Sequence, residues 1–218
     1  LHGEVRIGIP AQQIIQAASE LDADTIAVGA FVGVPRQELF LGSTVLEIIR
    51  YAPGNVLVVH LTPDLQHVVD GLQRPLLEHV LFPTDFSDFS LDAFDRFLAL
   101  EDNRVGRATL LHVQDVTRLE PHLIERLSEF DAIDKQRLQD MAQSLTAKGI
   151  EVDDRIELAV PEQSIIRIAL ELDVSCIAIG SRGRTIAYGP SWGSVSERVV
   201  RRADAPVLVI KHQETASA

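Results

Sequence analysis

Gly180 and Gly183 stand three residues apart in Gly180-Ser-Arg-Gly183, and nine residues later (RTIAYGPSW) comes Gly193-Ser194-Val195. Glycines let main-chain amides approach an anionic oxygen with no Cβ in the way. The free amides and positive dipole end of a helix opening at Gly193 would complete an anion nest, and a phosphate group is the fitting guest. Ser194 would add a hydroxyl at the N-cap of that helix. A second polar cluster, LFPTDFSD, ends in Asp85, which faces the same crevice if both segments leave neighbouring parallel strands. Competing readings stand beside these. Asp85, Ser87 or Ser90 could cap the next helix. Gly189-Pro-Ser-Trp-Gly193 fits the G-x-S-x-G pattern with Ser191 as nucleophile, but that elbow needs a strand immediately before the serine, and here the strand ends at Gly180. His112 reads as a half-buried sheet residue, with no other histidine at metal-ligand spacing. Cys176, the single cysteine, sits in an apolar run and reads as a small hydrophobe, with redox sensing as its alternative.

The elements that hold these residues repeat. An ungapped match at an offset of 151 pairs residues 9–60 with 160–211, with 18 identities in 52 pairs. Among them are Pro10 with Pro161, Glu20-Leu21-Asp22 with Glu171-Leu172-Asp173, and Gly42-Ser43 with Gly193-Ser194. Each copy reads as strand, proline, amphipathic helix, buried strand ending in glycine, loop, helix and closing strand. Short apolar runs at Cys176 to Ile179 and Val207 to Ile210 imply strands buried on both faces, hence a parallel sheet under helices. The second copy is preceded by a strand at His79 to Phe82, a helix at Ser90 to Leu100, a strand at Ala108 to Val113 and a charged helix from Glu120 to Lys148. The core face of that last helix is expected to carry Leu123, Leu127, Phe130, Ile133 and Leu138.

With 20 Lys plus Arg against 32 Asp plus Glu, the chain carries a formal net charge of −12. Such a surface repels nucleic-acid backbones and anionic lipid, so neither is an expected partner. No apolar run approaches the ~18 residues that span a bilayer. With the lone cysteine, this points to a cytoplasmic protein.

At the level of GSRGRTIAYGPSWGS the chain resembles the ATP-binding branch of the universal stress protein family. LFPTDFSD is similar to that family's first strand and turn, LLHVQDV to its second strand and APVLVIK to its closing strand. The resemblance implies an α/β fold of the adenine nucleotide alpha hydrolase-like class: an open five-stranded parallel sheet, order 3-2-1-4-5, with helices on both faces. It implies a tandem chain. Residues 1–62 would be the C-terminal half of a first domain, 63–77 a linker, 78–212 a complete second domain and 213–218 a tail. The first domain is expected to start some 70 to 75 residues before Leu1.

It also implies ATP, or ADP or AMP, across the first and fourth strands. Pro83, Thr84 and Asp85 would border the adenosine and the main chain of Val113 the adenine. Gly180, Arg182 and Gly183 would meet the ribose and phosphates, with Gly193, Ser194 and Val195 at the phosphate tail. Mg2+ is expected on the phosphates, because the acidic protein supplies few countercharges, although Arg182 and Arg184 could assist. No catalytic residue and no protein metal ligand is expected.

In the first copy Phe31 and Val32 replace Arg182 and Gly183, and Gly33 is displaced by one residue, so that site is expected to be degenerate. Pairing of Val56 to Val59 with Val207 to Ile210 would build an internal pseudo-dimer, which could then form a homodimer. The expected role is a nucleotide-responsive stress or regulatory module. A nucleotide-free interaction module of the same fold and a slow ATPase are the alternatives.

Overall fold

The computed structural model describes residues 2–31, 41–61, 74–100, 105–118, 127–184 and 192–212. In chain order the elements are α1 (Pro10–Glu20), β1 (Thr25–Phe31), α2 (Ser43–Tyr51), β2 (Asn55–Leu61), β3 (His79–Thr84) and α3 (Asp88–Ala99). There follow β4 (Arg107–Asp115), a 3-10 turn at Val116–Arg118, α4 (Leu127–Thr146), β5 (Glu151–Ala159), α5 (Pro161–Glu171), β6 (Cys176–Gly180), α6 (Ser194–Arg202) and β7 (Val207–Ile210).

The repeat visible in the sequence returns in the backbone from the two prolines onward; the strand expected before Pro10 does not form, whereas β5 precedes Pro161. Pro10 and Pro161 open α1 and α5 at the first helical turn, where a missing N–H costs nothing. Both helices stop alike. Asp22 and Asp173 take positive φ (50° and 46°), a conformation aspartate tolerates better than most residues. The next amides, of Ala23 and Val174, then reach back to the carbonyls of Ala18 and Ala169 at 2.9 and 3.1 Å.

The sheet runs β1-β2-β7-β6-β3-β4-β5. Its last five strands are all parallel, in the expected 3-2-1-4-5 order. The sheet has seven strands and not five, because β2 pairs antiparallel with β7. Val56 faces Val209, Leu57 faces Leu208 and Val58 faces Val207, as anticipated from the two closing strands. β3, β6 and β7 are buried throughout. β2 buries only alternate residues, so one of its faces remains half-exposed.

Two apolar layers flank the sheet. One joins the first copy to the second, with Ile48, Val56 and Val58 packed with Ile168, Val199 and Val207. The other lies under α3 and α4 and includes Phe82, Phe97, Leu110 and Leu138.

Several local expectations change. α3 begins at Asp88, two residues before the expected Ser90, because Ser87 is its N-cap and accepts the Ser90 amide at 3.2 Å. The charged helix ends at Thr146, and residues 119–126, including Leu123, lie outside the described residues. Leu138 is buried with Met141 and Leu145, but Ile133 is 52% exposed and Phe130 lines a cavity. Among the residues of α4 whose side chains are described, the core stripe is confined to the C-terminal half. Val32, Gly33 and Ser191, the tail, and the linker as far as residue 73 also lie outside the described residues.

Cys176 is wholly buried, and burial pushes its thiol pKa up to about 12. The thiolate is then about a thousandfold scarcer near pH 8 than in an exposed cysteine. Native protein is expected to resist Ellman's reagent and to release one equivalent of thiol on denaturation. Stoichiometric labelling of the folded chain within minutes would contradict that placement.

Candidate functional site

A cavity of about 410 Å³ opens at the carboxyl ends of β3, β4 and β6. The three strands arrive there for different reasons. β3 stops at Thr84, opposite His112, whereas β4 runs on to Asp115. Beyond His112 the β3-facing edge of β4 therefore has no strand neighbour, and Val113, the next residue, lines the cavity. β6 stops at Gly180 and releases the glycine loop, and α6 returns from the far side with Gly193 at its N-cap.

All ten residues expected to bind nucleotide line this cavity. Pro83, Thr84 and Asp85 come from the end of β3, and Val113 comes from β4. Gly180, Arg182 and Gly183 come from the loop after β6, and Gly193, Ser194 and Val195 from the start of α6. Ser194 is the first helical residue and not the N-cap; Gly193 holds that position, and no side chain caps α6. The Gly193 amide donates to the Ser181 carbonyl at 2.9 Å, and Ser196 Oγ donates to the Gly180 carbonyl at 2.7 Å. These two bonds fix the loop against the helix.

Asp85 is the latch of the site. Its Oδ1 accepts the Ser87 amide at 3.0 Å, and its Oδ2 accepts the Arg184 amide at 3.0 Å. Arg184 Nε donates to the Asp85 carbonyl at 2.8 Å. A carboxylate held this way sits directly over Gly183, where a Cβ would meet Oδ2 at 2.8 Å. The glycine is thus required by close approach and not by a positive φ. Asp85 leaves the capping of α3 to Ser87.

Sequence reasoning missed part of the lining. Arg118 and Arg137 join Arg182 and Arg184 at the rim, giving four guanidiniums against Asp85, Asp115 and Asp134. Local positive charge is richer than the acidic composition suggested. Arg118 lies 3.2 Å from Asp115, and Arg137 lies over the Phe86 ring at 5.4 Å. Pro161 and Ile165 of α5, with Leu111 and Ile179, supply an apolar wall. The i, i+4 spacing of Pro161 and Ile165 was visible, but their direction toward the cavity was not. Trp192 does not line the cavity; it packs against the layer shared by the two copies.

His112 is 3% exposed, not half-buried. Its Nδ1 donates to the Thr84 carbonyl at 2.8 Å, and its Nε2 lies 3.4 Å from Asp134. Burial holds the His112 imidazole below its ordinary pKa, and it does the same for His60 and His79. The unfolded chain therefore takes up these protons first as pH falls through the ordinary histidine range near ~6.5, and stability falls with them. The thermal midpoint is expected to drop by several degrees from pH 7 to pH 5, and a midpoint flat over that range would contradict the burial of these rings.

Among the described residues no group of three or more His, Cys, Asp or Glu side chains is placed to hold a metal ion. None of the helices there is long and apolar enough to cross a membrane.

The universal stress protein family model matches residues 1–60 and 77–211. The chain belongs to the universal stress protein family. It is 28% identical over 162 residues to universal stress protein MJ0577 of Methanocaldococcus jannaschii, covering 64% of this chain and 98% of that protein. A universal stress protein of Mycolicibacterium smegmatis is 26% identical over 208 residues, 95% of this chain and 68% of its own length. Among solved structures, a universal stress protein from Archaeoglobus fulgidus superposes with a TM-score of 0.69 at 26% identity, covering 93% of this chain and 66% of that one. The structure of MJ0577 superposes with a TM-score of 0.59 at 29% identity, covering 65% and 100%.

Proposed function

We propose that this universal stress protein binds an adenine nucleotide, in the first instance Mg-ATP, in the cavity at the ends of β3, β4 and β6, and acts as a nucleotide-responsive stress or regulatory module. One observation carries this reading. Ten residues, from the end of β3, the loop after β6, the start of α6 and Val113 of β4, line a single cavity. The wall of Leu111, Ile165 and Ile179 suits a flat base, and the open main-chain edge at Val113 suits hydrogen bonding to it. The glycine loop, the uncapped start of α6 and the arginines suit a chain of phosphates.

A Mg2+ ion would be held by the phosphates, since no cluster of protein ligands is at hand among the described residues. The chain's own part is to orient the base, to hold the loop amides ready through Asp85, and to balance charge with Arg182 and Arg184. The tandem reading is part of the proposal: residues 1–62 as half of a degenerate domain, 78–212 as the nucleotide-binding one, in a cytoplasmic protein that forms homodimers.

A thermal-shift scan with ATP, ADP, AMP and GTP, each with and without Mg2+, tests the reading. Saturating ligand at about a hundred times Kd adds about 2.7 kcal/mol to the folded state, which the midpoint registers clearly. A rise with adenine nucleotides alone is the expected result. No rise with any of them would remove the reading, and phosphate release beyond one turnover would redirect it toward an ATPase.

A further inference from the structure

The two copies grip each other through a reciprocal contact. His60 and Lys211 occupy equivalent positions at the offset of 151, as do Ile49 and Val200. His60 Nε2 donates to the Val200 carbonyl at 2.7 Å, and Lys211 Nζ donates to the Ile49 carbonyl at 2.8 Å and the Arg50 carbonyl at 3.0 Å. Each side chain thus leaves the end of one closing strand, crosses the antiparallel β2–β7 seam and satisfies carbonyls in the last turn of the other copy's helix. Such carbonyls have no partner within their own helix.

The two arms differ in what they hold. Lys211 ends on α2, whose first turn is not part of the nucleotide cavity. His60 ends on α6, a helix of nine residues whose first turn, at Ser194, Val195 and Ser196, walls the nucleotide cavity. Val199 and Val200 are fully buried, so α6 is held as a rigid rod with His60 at one end and the cavity at the other. His60 is itself 8% exposed, and a carbonyl can only accept, so its buried ring is the Nε2–H tautomer. A short, stiff imidazole fixes one direction, where a lysine stem would allow several.

From this geometry we infer that His60 is a positioning residue for the nucleotide site of the other copy, setting the height of the α6 N-terminus and so making the first copy a regulator of the second. The inference rests on the function proposed above. It assigns the first copy, whose own loop has lost the second glycine, a task that needs no ligand of its own.

Three variants of the full chain test it, read by Mg-ATP calorimetry and by the emission of Trp192, the only tryptophan, which stands next to the N-cap of α6. His60→Leu removes the donor and keeps the bulk. It is expected to weaken Mg-ATP about fivefold or more and to shift Trp192 emission without ligand. His60→Gln, whose amide can reach the same carbonyl, is expected to restore most of both. Asn55→Ala removes the acceptor of the Lys211 amide at 3.1 Å across the same seam without touching α6, and is expected to change neither.

A merely structural His60 would lower the melting temperature as Asn55→Ala does and leave affinity alone. Unchanged affinity in His60→Leu overturns the inference whenever the parent binds Mg-ATP. Where the parent binds none, the functional reading fails, and the Trp192 emission decides: a shift in His60→Leu alone upholds the positioning of α6, and no shift overturns it.

Discussion

Replacing Gly183 by valine is expected to weaken Mg-ATP by more than ~100-fold, a loss of about 2.7 kcal/mol, while leaving a cooperative thermal transition. The cause is space. Any Cβ at position 183 lies 2.8 Å from Asp85 Oδ2, well inside contact distance. A carboxylate at the end of a free side chain would swing aside at little cost. This one is tied to the Ser87 amide through Oδ1 and to the Arg184 amide through Oδ2, so it moves only by breaking the bonds that hold the glycine loop to the end of β3. The two methyl groups then add bulk at the cavity wall. Alanine at the same position makes the same first clash with less bulk, and its loss is expected to fall between the parent and valine. Calorimetry on the three proteins checks the series, with circular dichroism melts confirming the fold. Parent-like affinity in Gly183→Val would mean that the loop holds no phosphate.

Phe97→Ala is expected to cost about 3–5 kcal/mol of folding stability, lowering the thermal midpoint by roughly 6–20 °C. Phe97 is wholly buried on α3, and its ring stands 5.6 Å from that of Phe82 on β3, which also meets Phe94 edge-on at 5.3 Å. Truncation leaves a void in a layer bounded by strands buried on both faces, which have little freedom to collapse. A typical domain holds about 5–15 kcal/mol in all, so this single change consumes a large share. Saturating Mg-ATP is expected to recover part of the lost midpoint, because the turn at Asp85 that shapes the cavity leads straight into α3. Urea denaturation with an unchanged slope would assign the effect to the native core; a cost below ~1 kcal/mol would contradict the packing.

Much of this arrangement was legible in the sequence because its determinants are local or repeated. Cys176 to Ile179 and Val207 to Ile210 are too short and too apolar for anything except strands inside the sheet, and two related closing strands have an obvious way to pair. The glycine spacing marked a loop that must lie close to something, and LFPTDFSD marked what it would lie close to. What stayed hidden depends on direction and on distant neighbours. The α4 pattern counted Phe130 and Ile133 as core, but the helix passes the cavity mouth there, so one residue turns to the cavity and the other to solvent.

Arg118 and Arg137 lie in charged stretches that resemble any solvated face. That Gly183 makes room for a carboxylate, and not for a turn of positive φ, depends on the Asp85 rotamer, which no spacing reveals. The reciprocal reach of His60 and Lys211 leaves no mark among the identities of the repeat, because this pair differs in residue type while sharing a task.

The most direct measurement is a calorimetric titration of the full chain with Mg-ATP, run beside Gly183→Val. Saturable heat at one nucleotide per chain in the parent, absent from the variant, is what a glycine-gated cavity at the ends of β3, β4 and β6 predicts. No saturable heat in the parent, or equal heat in both proteins, would contradict it.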